Sequence, residues 1–92
     1  MTSYRFTRVD ASYESHYEAV GRIWTTHPAE LQWLIEEIRR RVPQVRISPG
    51  DFWWDIKSGP HCYWIMATLV ERGWEPFAAP QLNIYHFRLR VE

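Results

Sequence analysis

The sequence predicts an α+β fold: a small single-layer sheet with two helices packed on one face, in the order β-β-α-β-α-β-β. Three observations carry this. Residues 26-THPAELQWLIEEIRRRV-42 repeat apolar side chains at helical spacing. Residues 82-LNIYHFRLRVE-92 alternate apolar and polar side chains, as a half-buried strand does. A second helical run between them stops at Gly73, where a helix C-terminus favours glycine.

The elements follow in order. In 3-SYRFTRVD-10, Tyr4 and Phe6 alternate with Arg5 and Thr7, which reads as a strand, and 10–16 reads as a turn or loop. Residues 17–26 are ambiguous. Tyr13, Tyr17, Val20 and Trp24 sit at helical spacing, yet Val, Ile, Trp and paired Thr favour a strand and Gly21 weakens a helix. We favour a strand that pairs with the first.

The first helix has Pro28 in its opening turn, with Thr26 or His27 as cap. Leu31, Leu34, Ile35, Ile38 and Val42 form its apolar stripe, and Arg39, Arg40 and Arg41 sit at the negative end of its dipole. Glu36–Arg40 and Glu37–Arg41 are spaced as i,i+4 pairs. Pro43 ends it. Residues 44–48 read as a short strand, and 49–60, bounded by turn formers, as partly loop. The second helix should span 61–72, with Ser58 as cap and an apolar face of Cys62, Tyr63, Met66, Ala67, Leu69 and Val70. Residues 74–79 and 82–92 are two strands joined at Pro80.

Ninety-two residues fit one domain, 1–92, which buries roughly 60–68% of the surface of its unfolded chain. Eleven basic and 11 acidic residues cancel. That argues against a generic nucleic-acid or anionic-membrane binder and opposes self-association only weakly. The one cysteine excludes an internal disulfide and fits a reducing compartment. No apolar run reaches membrane-spanning length, and the first ten residues lack a signal-peptide layout. A cytoplasmic protein is expected.

The C-terminal third, 65-IMATLVERGWEPFAAPQLNIYHFRLR-90, resembles a family of small bacterial domains of unknown function. In that family a helix ends in Gly-Trp-Glu, here Gly73, Trp74 and Glu75. A closing strand then carries an aromatic followed by basic residues, here Tyr85, Phe87 and Arg88. The resemblance implies the fold and no chemistry.

The stretch 51-DFWWDIKSGPHCYW-64 concentrates the chemistry-bearing residues. A catalytic reading uses Asp51 or Asp55 with His61 for acid–base work, shielded by Phe52, Trp53 and Trp54; in its pocket form, around 49–64, Asp55 and His61 are the polar groups and Trp53 and Trp54 the walls. No motif fixes those roles. Cys62 falls on an apolar helix face and reads as a buried thiol. His16, His27, His61, His86 and Cys62 lack metal-ligand spacing, so no metal and no cofactor is expected.

Six tryptophans exceed what a core of this size encloses comfortably. Trp33 lies about 160° from the centre of its helix's apolar stripe, at about 100° per residue, and Trp64 falls among His61, Thr68 and Glu71. Either another segment covers these rings or they meet a partner, since tryptophan is prominent at interfaces. The leading expectation is a non-enzymatic protein-interaction module that binds itself as a homodimer or joins another protein. Its contact residues would be Trp33, Trp64 and one of Trp53 or Trp54. The alternative is the small enzyme or small-molecule binder just described. Nucleic acid is not the expected partner: it would want rings and basic side chains on one sheet face, and along 85–88 they alternate to opposite faces.

Overall fold

Period-2 segments account for about half of the chain, and six of them pair into one antiparallel sheet. The structure, a computed structural model, describes residues 3–14 and 17–91. The elements are β1 (Ser3–Glu14), β2 (Tyr17–Thr25), α1 (Pro28–Arg41), β3 (Arg46–Pro49), β4 (Trp53–Lys57), α2 (Cys62–Glu71), β5 (Glu75–Gln81) and β6 (Ile84–Val91). The strands lie in the order β3-β4-β2-β1-β6-β5. The α+β class and the expected order hold, with a further strand, β4, inside the 49–60 stretch. No helix among the described residues is long and apolar enough to cross a membrane.

The strand–loop boundary near the N-terminus moves. Strand β1 runs through Ala11–Tyr13, where a loop was expected, because those residues keep pairing with β2. His16 lies outside the described residues. The ambiguity of 17–26 also has a cause. Asp10 pairs with Arg22 and Ala11 with Val20, so Gly21 is an extra residue, a β-bulge. The bulge shifts the alternation, and Val20 and Ile23 both enter the core though three residues apart. That spacing imitates a helix.

Alternate residues of the sheet face the helices. Val9 lies opposite Ile23 and Tyr85, and Ile23 opposite Trp54. These join Leu31, Leu34, Ile35 and Ile38 of α1 and Cys62, Ile65 and Leu69 of α2 in one core, closed by Trp74 and Phe87. Four residues of the expected α1 stripe, Leu31, Leu34, Ile35 and Ile38, are buried, whereas Val42 falls just past the helix as its C-cap and is only partly buried. The stripe of α2 is rotated: Ile65 is buried, whereas Tyr63 and Val70 are exposed. Helix α2 is apolar on most sides, so its sequence does not fix its phase.

The caps follow local chemistry. His61, rather than Ser58, caps α2, its Nδ1 accepting the Tyr63 N–H. At the other end Gly73 (φ +93°) lets its N–H reach Val70 O while Trp74 N–H reaches Leu69 O, closing the last turn. Asn83, at φ +68°, turns the chain from β5 into β6, three residues beyond the expected joint at Pro80. Strand β5 is a sheet edge, and its Pro76 and Pro80 lack the N–H groups another strand would need.

Candidate functional site

Trp53 and Trp54 are neighbours in a strand, so their side chains leave on opposite faces. Trp54 is only 7% exposed and belongs to the core. It therefore drops out of the expected contact set, for the simple reason of strand parity. Trp53 pairs with Trp24 of β2, and the two rings lie 5.0 Å apart between centroids.

The same parity fixes the rest of that face. Strand β1 contributes Tyr4, Phe6, Arg8 and Asp10, β2 contributes Arg22 and Trp24, and β4 contributes Trp53, Asp55 and Lys57. From β6 come His86, Arg88 and Arg90, opposite Arg8, Phe6 and Tyr4. Phe77 of β5 packs its ring on Phe6 at 5.9 Å and on His86 at 6.0 Å.

Rings and guanidinium groups interleave across the face. Arg8 lies 4.8 Å and Arg22 5.3 Å from the Trp24 ring, and Arg22 is also 5.2 Å from Trp53. Arg88 lies 5.1 Å from Tyr4 and 5.4 Å from Phe77. A carboxylate holds each arginine in place: Asp10 for Arg8, Asp55 for Arg22, Glu75 for Arg88. Such pairs fix a flat guanidinium over a ring. A groove of about 390 Å³ opens here, walled chiefly by Phe6, Arg8, Trp24, Phe52 and His86. Phe6, Phe52 and Phe77 are 43–55% exposed. The indole N–H of Trp24 is buried with no hydrogen-bond acceptor.

Trp33 and Trp64 are arranged differently. Each is half-buried against the core. Arg72, just after α2, stacks 4.2 Å from Trp33, and Arg41, at the end of α1, stacks 4.5 Å from Trp64. The two clasps require the helices to run antiparallel. They also explain a misread pair: Arg41 turns to Trp64, and Glu37 bonds Arg40 instead. The tryptophans are thus covered from the neighbouring helix, which sequence phase on a single helix does not reveal.

Asp55 and His61 have separate partners. Asp55 bonds Arg22, and that bond holds its carboxyl below the usual range. His61 lies between the rings of Tyr17 and Tyr63, at 5.8 and 5.1 Å. Neither lines the 390 Å³ groove. Cys62 is fully buried, and burial pushes its thiol up to about 12. Among the described residues no group of three His, Cys, Asp or Glu is placed to hold a metal ion. Family models, curated proteins and solved structures were compared with the chain, and none matches it.

The sequence missed Trp24, Phe6 and Phe77 as surface residues. A signal for Trp24 existed: counting the strand back from Trp53 through an antiparallel pair would have placed two tryptophans opposite each other. Strand order was needed to make that count.

Proposed function

We propose that the chain is a small non-enzymatic interaction module, a single-layer sheet that presents its ring-bearing face to a partner. The observation that carries this is the Trp24–Trp53 stack with arginines laid over it, on the face turned away from the core. Trp, Tyr and Arg are the residue types that dominate binding hot spots. Carboxylate pairing holds the arginines in fixed geometry, which lowers the entropy lost on binding. The contact therefore moves from Trp33 and Trp64, already covered by Arg72 and Arg41, to Trp53 and Trp24.

The enzyme reading is weaker on chemistry. A carboxyl whose pKa lies below the usual range is a poor general acid, and a thiol near 12 is a poor nucleophile.

Indole N–H signals in a two-dimensional spectrum test the proposal. On adding a partner, or on raising the chain's own concentration, Trp24 and Trp53 should shift. Trp33, Trp64 and Trp74 should not. Shifts confined to Trp33 and Trp64 would place the contact on the helices and refute it.

A further inference from the structure

We infer that the partner laid on this face is single-stranded nucleic acid, with bases stacked on its rings and phosphates on its arginines. The inference rests on the proposed contact face and names what covers it.

Charge is the first observation. The chain is neutral overall, but its charges divide unevenly. Among the described residues, strand parity assigns Arg8, Arg22, Arg46, Lys57, Arg88 and Arg90 to this face together with Asp10, Glu14, Asp55 and Glu75, so six basic positions stand against four acidic ones. The other five basic and seven acidic residues fall at other positions of the chain. Net charge averages the two regions and conceals the basic one.

Ring placement is the second. Along β6 the rings of Tyr85 and Phe87 do face away from His86 and Arg88. The rings beside Arg88 come from other strands: Tyr4, Phe6 and Phe77. Sheet pairing thereby assembles rings and basic groups on one face, which is how single strands are bound without a duplex groove. Every base has a π-face, so stacked rings tolerate any sequence.

Geometry is the third. The groove of about 390 Å³ between Phe6, Trp24, Phe52 and His86 admits one planar ring, with Arg8 at its wall. Arg22 and Arg88 engage their carboxylates through Nε. A guanidinium has five N–H donors, so each retains donors for a phosphate.

A second copy of the chain is the competing occupant. It would have to bring two basic-surplus faces together, whereas a polyanion gains from that surplus.

The test is fluorescence anisotropy with labelled mixed-sequence single-stranded RNA and DNA of roughly 12 nucleotides, within the site size of such surfaces, and a duplex of equal length. Expected is binding to the single strands that exceeds binding to the duplex and weakens as salt rises. Trp24→Ala and Trp53→Ala should each lower affinity roughly 5- to 150-fold, the range for one lost stacking partner. Trp24→Phe should restore part of it. Arg22→Gln and Arg88→Gln keep every ring and should reduce the salt slope by about 0.7 each. They serve as the second test should Trp24→Ala fail to fold.

Light scattering on the same samples separates two failures. No binding, together with a wild-type dimer that Trp53→Ala converts to monomer, overturns nucleic acid and keeps the contact face. Binding that is unchanged by all four substitutions overturns both.

Discussion

Trp53 and Trp54 are adjacent, chemically identical and opposite in environment, so paired alanine substitutions isolate the effect of sheet face. Trp54 is 7% exposed within a core that includes Ile23 and Ile56. Removing a buried tryptophan costs about 3–5 kcal/mol, the sum of lost transfer energy and the cavity left behind. Trp53 is half-buried, and its main partner is Trp24 at 5.0 Å. An aromatic pair contributes about 0.5–1.5 kcal/mol beyond area, and the exposed side of the ring loses nothing, so Trp53→Ala should cost about 1–2 kcal/mol. A 92-residue domain has about 5–14 kcal/mol in all. Trp54→Ala therefore consumes a large fraction of it, and at about 4–8 °C per kcal/mol should lower the melting temperature by at least about 12 °C. Urea titration followed by far-UV circular dichroism gives both values from the midpoints, provided the slope is unchanged. Equal losses for the two variants, or a larger loss at Trp53, would refute the assignment of faces and with it the contact surface.

Four further outcomes are expected. Gly73→Ala forces an alanine to φ +93° and should destabilise by about 1–2 kcal/mol, read from the same titration. Cys62 should resist a thiol reagent in the folded state and react once urea unfolds the chain; rapid native labelling would contradict its burial. Its folded pKa of about 12 stands above the ordinary 9.0, so its contribution to stability is complete below 9.0 and is lost as pH rises from there to about 12. Burial and the bond to Glu18 also raise Tyr85 to about 12, so absorbance titration should find one tyrosine that ionises about two pH units after exposed ones. Arg72→Ala should uncover Trp33 and raise iodide quenching of tryptophan emission at a cost of about 0.5–1 kcal/mol; unchanged quenching would remove the clasp.

The sequence by itself determined the elements whose cause is local. The first helix was legible because Pro28, an apolar stripe whose members Leu31, Leu34, Ile35 and Ile38 are buried, and three terminal arginines agree. Gly73 was legible as a stop because only a residue without Cβ enters that conformation cheaply. Adjacency in a strand puts Trp53 and Trp54 on opposite faces, but that 53–57 is a strand, and that Trp54 is the ring it buries, came from the structure. The phase of α2 was not legible, since a helix apolar on most sides fits the core in several rotations. The bulge at Gly21 concealed the period of β2, and a short strand bounded by turn formers looked like loop. Partner choice across elements was beyond the sequence altogether. Arg72 covers Trp33, Arg41 covers Trp64, and Phe77 meets Phe6 across 70 positions of chain. Residues of one strand know their own two faces, but which strands lie side by side is set by packing of the whole core. Only that packing brought Tyr4, Phe6, Trp24, Trp53 and Phe77 together with the arginines, and turned scattered rings into a surface.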